Sequence, residues 1–537
     1  MDASDGERAR RARRRRPPRP PRSHRHGPQA RRRPSRGRVV AAVLSAVVLG
    51  TVGLLLSRDR PPSGPPANAS LRLVPDDALV VVHLNDGAGR GASPAAVRDV
   101  DRRLGDLGLW ARARDALATA LRRPGCRSGP SVVPGGEGSY ALLPVDGGRA
   151  APLVVVDTGG TVERPVTRTC GRYRTTVIGR HLVAGTRETV ARARDLHERR
   201  PRHRSLLRLD AYRRLTDALP DDRAVDAWAS PAGIRRLLAP AGGPVGALGA
   251  ALDRTGSEGA AIAIAPVGDD GVRVAVRTRG TPGGGRPFRA DAVAPVAPSD
   301  AVATLVTVDP VGAIARAARM LGSGDPGGAG ELVSGLPATL RRIDRLVAGR
   351  LRRDVADAVT GPSEVVVTAG RRRPAVVVVT PLTDGARAVR TLREVRDQLA
   401  DALNDPGSRR RFTRSVVAGR PAWTLRVGAR GRVGYLRADD RLVAYTDPAA
   451  AAAVLRTRER LAADERWRGL VDDGSKSQIS IGFAEFTRVV AVADRSGLAT
   501  DPEYRTVRRD LGRLRALTLR ADARERETST DLDLWIR

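Results

Sequence analysis

Aromatic residues are the scarcest resource of this sequence: four Phe, five Trp and six Tyr in 537 residues. A chain so poor in rings has few stacking platforms, which weighs against base readout in nucleic acid and against sugar stacking. Its cores must be built from Val, Leu, Ala and Ile. Lysine is nearly absent, with Lys476 standing alone among 94 basic residues. The arginine excess is therefore a compositional bias, and a single arginine is no sign of function by itself.

Only two cysteines occur, Cys126 and Cys170. Two cannot complete a four-ligand structural zinc site. They are candidates for a disulfide, closing a loop of about 45 residues worth roughly 4 kcal/mol in the chain-entropy model, or for two free thiols. Histidines fall at 24, 26, 83, 181, 197 and 203 without metal-ligand spacing. His83 and His181 lie on expected strands, where a half-buried structural histidine is the default. The sequence also lacks H-E-x-x-H, G-x-S-x-G and Walker patterns. No catalytic, cofactor-binding or metal residue is assigned, and no cofactor is expected. Gly87-x-Gly89-x-x-Ala92 imitates a dinucleotide loop between a strand and a helix. The second strand with its ribose-binding acid is missing, so a plain strand-to-helix connection is expected.

Long apolar runs are absent but for one. Val39 to Ser57 reads VVAAVLSAVVLGTVGLLLS, nineteen residues without a charge. At about 1.5 Å per residue it reaches roughly 28 Å, near the hydrocarbon thickness. Residues 1–38 carry fifteen Arg against Asp2, Asp5 and Glu7, a local +12 within the formal +35. The arginine asymmetry predicts a single-pass signal anchor with residues 1–38 as a disordered cytoplasmic tail and 58–537 extracytoplasmic, in the cell envelope. The run exceeds the usual h-region of about 7–15 residues, which argues against a cleaved signal peptide. Residues 58–70, rich in proline, read as a tether.

Beyond the tether, features recur. Val74-Pro75-Asp76-Asp77-Ala78 leads into a β-rich run, as does Ala297-Pro298-Ser299-Asp300-Ala301. SYALLPVDGGRAAPLVVVD (Ser139 to Asp157) and SEVVVTAGRRRPAVVVVT (Ser363 to Thr380) both read as hairpins. Leu182 to Thr186 and Leu442 to Thr446 are Leu-Val-Ala-x-Thr strands, each before a helix-forming stretch. Each half closes on a two-strand pattern. The spacing grows from 223 residues at Pro75 and Pro298 to 260 at Leu182 and Leu442. An extra helix at Thr391 to Ala402 accounts for the difference. The expected fold class is α+β: a module used twice, with mainly antiparallel sheets and long helices, after one transmembrane helix. The repeats span 71–280 and 295–537, with a Gly-rich linker at 281–294. A helix from Pro94 to about Arg122 carries Val97, Val100 and Leu104 on one face.

The P-x-D-A openings (Pro75 to Ala78, Pro298 to Ala301) and the two Leu-Val-Ala-x-Thr units resemble a bacterial family of membrane-anchored or exported proteins defined by a domain of unknown function. The resemblance covers roughly residues 71–537. It implies an envelope location and supplies no catalytic residue.

The functional expectation is a non-enzymatic binding or scaffolding protein. Its partners would be the bilayer through residues 39–57 and anionic envelope polymers or lipid head groups, with nucleic acid disfavoured. The alternative is an exported hydrolase with a site in the cleft between the repeats.

Overall fold

The computed structural model describes residues 68–84, 99–104, 137–158, 168–240, 249–280, 287–310 and 361–537, with short interruptions inside these ranges. Strands dominate. The first series comprises β1 (Val80–Leu84), β2 (Gly138–Val145), β3 (Arg149–Asp157), β4 (Arg168–Cys170), β5 (Tyr173–Ile178), β6 (His181–Thr186), β7 (Val225–Ala229), β8 (Gly259–Val267) and β9 (Gly271–Arg279). The second comprises β10 (Ala303–Thr307), β11 (Ser363–Thr368), β12 (Ala375–Pro381), β13 (Thr413–Val417), β14 (Arg420–Val427), β15 (Gly431–Ala438), β16 (Arg441–Tyr445), β17 (Gln478–Glu485), β18 (Leu514–Arg524) and β19 (Glu527–Ile536).

All nineteen described strands join one antiparallel sheet. Across the first series the order is β4-β5-β6-β3-β2-β1-β7-β8-β9. Across the second it is β13-β14-β15-β16-β12-β11-β10-β17-β18-β19. The two series then fuse where β9 pairs with β19 over nine residue pairs, Gly271–Arg279 against Glu527–Trp535.

This corrects the α+β expectation. The strands do not build two sheets with long helices; they run edge to edge as one sheet. The described helices are short: α1 (Arg187–His197), α2 (Asp210–Asp217), α3 (Gly385–Glu394), α4 (Arg396–Leu403), α5 (Pro448–Arg456), α6 (Glu465–Val471), α7 (Phe486–Arg495) and α8 (Pro502–Arg513). The stretch expected as one helix at Thr391 to Ala402 is split between α3 and α4 at Val395, whose φ of −92° and ψ of 0° close one helix as the next begins. Alanine and arginine favour helix locally, but here helical turns last only as long as an apolar stripe finds the sheet. Of the expected Pro94 to Arg122 helix, 99–100 and 102–104 are described and helical, with Val100 and Leu104 buried.

The membrane placement is corrected as well. No described helix is long and apolar enough to cross a membrane. The twelve residues of α8 reach only about 18 Å against a core of about 30 Å, and they carry four arginines. The anchor expected at 39–57 lies outside the described residues, as do the tail and most of the tether. The single-pass, extracytoplasmic location loses its structural basis and is set aside.

Alternation along each strand explains the packing, since successive side chains face opposite sides. On one face Val81, Ala141, Val155, Val183 and Trp228 meet α1 and α2 through Val190, Ala193, Tyr212 and Leu215. On the other face Val80, Val82, Leu142 and Val225 meet Val100, Leu104, Ile234 and Leu238. The second series packs Val306, Val377, Val443, Ile481 and Phe483 against α5 and α6. A satellite core joins α3 and α4 to β14 and β15 through Leu392, Ala400, Leu425 and Tyr435.

Candidate functional site

Two arrangements of polar side chains stand out, one sealed inside the first series and one open on the seam. Equivalent positions follow from the ladders. Val80 faces Leu142 and Ala229, and Ala303 faces Val367 and Ala484 in the same way. Counting along, His83 corresponds to Val306 and Asp226 to Ile481.

His83 sits in the central strand β1 at 2% exposure, with Asp226 on β7 at 3% and Glu137 just before β2 at 1%. The imidazole Nδ1 lies 2.9 Å from Asp226 Oδ1 and Nε2 lies 3.2 Å from Glu137 Oε1. Burial alone would push the imidazole down, but Asp226 and then Glu137 reverse this and raise it to about 9. It is an imidazolium donating to two carboxylates. Burial pushes Glu137 up, yet His83 and the Ser70 donors bring it to about 2. Asp226 is likewise lowered: burial is outweighed by His83 and Arg223. Arg223 approaches Asp226 Oδ2 at 3.6 Å. Two cations thus balance two anions away from water, the condition under which buried charge is tolerated. The Ser70 backbone N–H donates to Glu137 Oε1 at 2.6 Å and its hydroxyl at 2.8 Å, tying the segment ahead of β1 to the sheet. Sealed from solvent, this cluster is a structural lock.

The open site lies on the seam. Trp228 faces Ala261 as Phe483 faces Thr518, which makes Ala263 equivalent to Arg520. Ala263 faces Ala275 and Arg520 faces Asp531. Ala275 and Asp531 are therefore equivalent, and they pair with each other across the seam. A local twofold axis passes through that pair. Over it lies a cavity of about 860 Å³, floored by β9, β19 and β18, and flanked by α2 and Ser477.

Five arginines line the cavity: Arg214 from α2, Arg273 and Arg277 from β9, and Arg520 and Arg524 from β18. Asp522, Glu527 and Asp531 stand among them, and Thr278, Ser477, Thr528 and Ser529 complete the polar part of the described lining. Arg273 grips Asp533 in a fork at 2.7 and 2.9 Å, and the Asp533 hydrogen bonds hold its guanidinium above the ordinary arginine value. Arg277 donates to Asp531 Oδ1 at 2.6 Å and to the Ala218 carbonyl at 2.9 Å. Arg214 reaches Glu258 at 3.1 Å, and Arg524 is exposed. Gln478 Nε2 donates to Asp522 at 2.9 Å. Arg273, forked on Asp533, and Arg277, held by Asp531 and the Ala218 carbonyl, have little side-chain entropy left to lose. Among the described residues the lining holds no histidine, cysteine or aromatic ring.

The residues singled out in the sequence do not converge here. Cys126, Gly87, Gly89 and Ala92 lie outside the described residues. Cys170 ends β4 at the far end of the sheet. His181 on β6 faces Asp157, and burial lowers it despite the Asp157 and Glu137 carboxylates. Asp77 pairs with the buried Arg192. The His83 cluster was missed. Its signals were a histidine inside VVVHL and a lone acid inside VDAWA, both polar interruptions of apolar strands.

Compared with protein family models, with curated proteins and with solved structures, the chain matches none of them.

Proposed function

We propose that the protein is a non-enzymatic binding protein whose seam groove takes an anionic ligand. The observation that carries this reading is the cavity on the local twofold, lined by five arginines. The formal charge of +35 supports it by drawing anions toward the chain. Among the described residues the lining places no histidine beside Ser477 or Ser529, which a histidine-activated serine hydrolase would need. That the described lining has no aromatic ring turns the reading away from single-stranded nucleic acid, which stacks its bases.

Titration of the full chain with a labelled polyanion at two ionic strengths tests the proposal. Binding weakens as salt rises, because exposed charges are screened within about 8 Å at physiological ionic strength. The Arg214→Ala/Arg524→Ala variant loses about tenfold or more in affinity, the effect of one or two charge-assisted hydrogen bonds. Affinity unchanged in that variant would overturn the assignment of the groove.

A further inference from the structure

We propose that the edge strand β13 is a docking site for an extended, acidic peptide segment of a partner protein. The site is separate from the seam groove and does not depend on it. Among the described strands, β13 pairs with β14 alone. Ala418 at φ 51° and Gly419 at φ 77° make the turn between them a primed one, which sets its flanking residues, Val417 and Arg420, as a hydrogen-bonded pair. Such pairs alternate along an antiparallel ladder. Ser415 and Thr413 therefore also bond to β14, while the N–H and C=O groups of Arg414 and Val416 point off the sheet. Among the described residues none of these outward groups has a partner. The edge at the other end of the sheet, β4, is only three residues long.

The side chains at this edge define the occupant. Arg414 and Trp423 face each other in a pair without mutual backbone bonds, where side chains approach most closely. The Arg414 guanidinium stands 5.6 Å from the centre of the Trp423 ring, and Arg396 of α4 stands 4.1 Å from it. Nearby Arg411 takes Asp397 and Asp401, and Arg420 takes Asp439, but among the described residues neither Arg414 nor Arg396 has a carboxylate partner. Two cations share one ring face or edge and lack a counter-ion. Val416, on the same side of the strand as Arg414, is 73% exposed, the one large apolar side chain so exposed among the described residues. A strand added to β13 places alternate side chains on that side about 6.6–6.8 Å apart. In the antiparallel sense of this sheet it reads apolar, any residue, acidic, with the apolar side chain beside Val416 and the carboxylate beside Arg414. Charge on an edge deters indiscriminate pairing, and a strand that brings a carboxylate removes that cost. Pairing two β13 edges would gather Arg414 and Arg396 of both copies with no acid between them, so a second copy fits poorly. Residues 1–38 of this chain, with fifteen Arg against three acids, fit no better.

The test compares two labelled probes on the full chain: a peptide of repeating Ile-Thr-Glu-Thr and its counterpart with Lys in place of Glu. The acidic peptide binds about tenfold more tightly, the effect of one charge-assisted contact, and it slows amide exchange across Thr413–Val417. Val416→Pro removes an outward N–H and leaves the ladder to β14 intact, and it lowers the acidic peptide's affinity about tenfold or more. Arg414→Glu, at an exposed position, turns the preference toward the basic peptide and serves the same purpose if Val416→Pro unfolds the chain. Equal affinity for the two probes, or a preference that survives Arg414→Glu, overturns the proposal. An acidic peptide that slows exchange only along β9 and β19 overturns it and leaves the anion reading of the groove standing. Self-association of the chain that Val416→Pro abolishes, with neither peptide bound, also overturns it and gives the edge to a second copy.

Discussion

At equivalent places in the sheet the two series of strands make opposite choices. The first buries an ion network, His83 between Asp226 and Glu137. The second buries Val306 at 1% and Ile481 at 0% exposure. Its one acid nearby, Glu364, occupies the position of Ser139 and takes the Val296 and Ala297 backbone N–H groups at 2.6 and 2.9 Å and the Thr304 hydroxyl at 3.0 Å. Burial raises Glu364, the reverse of Glu137. The fold therefore does not require the ions. What both series need is an acceptor for the chain segment that precedes the first strand, and each supplies a buried glutamate: Glu137 for Ser70, Glu364 for Val296 and Ala297.

The sharpest break in this comparison is His83→Val alone. It leaves Asp226 and Glu137 buried without their shared cation, and chemical denaturation should show a loss of about 3–5 kcal/mol. Next is Gly233→Ala. A Cβ there would overlap the Leu79 carbonyl oxygen, because the turn after β7 lies directly on the residue that leads into β1. In the second series the corresponding residue is Arg488, which bonds the Ser299 and Ala301 carbonyls at 2.6 and 3.0 Å. Gly233→Ala should cost about 1–3 kcal/mol, the usual price of overpacking, read as a shift in denaturation midpoint.

Copying the second series into the first, with His83→Val and Asp226→Ile together, should recover most of what His83→Val loses, since apolar replacements of buried pairs are often near neutral. A double variant as unstable as the single one would show that the ions do more than balance each other.

The pH dependence separates the series further. His83 is raised from 6.5 to about 9, so its stabilisation is complete below 6.5 and fades as pH climbs through about 9. Glu137 is lowered from 4.5 to about 2, so its stabilisation is present above 4.5 and fades as pH falls through about 2. The first series is thus best served between pH 4.5 and 6.5. Glu364, being raised above 4.5, loses stability only as pH rises. Melting curves from pH 3 to 10 should show an alkaline decline in the native chain that is smaller in the double variant.

Local elements were legible because their codes are local. Ser139 to Asp157 alternates around Asp146-Gly147-Gly148, where Gly147 takes φ 73°, and it forms β2 and β3. Thr186 accepts from the Thr189 backbone to start α1, and Asp447 does the same for Ala449 at α5. What stayed hidden is long-range. The β9–β19 ladder joins residues some 250 positions apart, and its sign was the charge alternation of GVRVAVRTR and STDLDLWI, readable only when the two are set side by side. Helix lengths were overread because alanine and arginine favour helix anywhere, whereas contact with the sheet decides where it stops. The groove was invisible because no motif marks it; it exists only once the seam closes.

The seam has a consequence for biosynthesis. β9 leaves the ribosome long before β19 does, so a completed first series must wait with its last edge unpaired. An open edge invites pairing with any other strand, and charged side chains along it are the usual deterrent. Arg273, Arg277 and Arg279 project from one face of that edge until Asp533, Asp531 and Glu527 arrive to meet them. The same guanidinium groups that later floor the groove thus guard the nascent chain against mispairing.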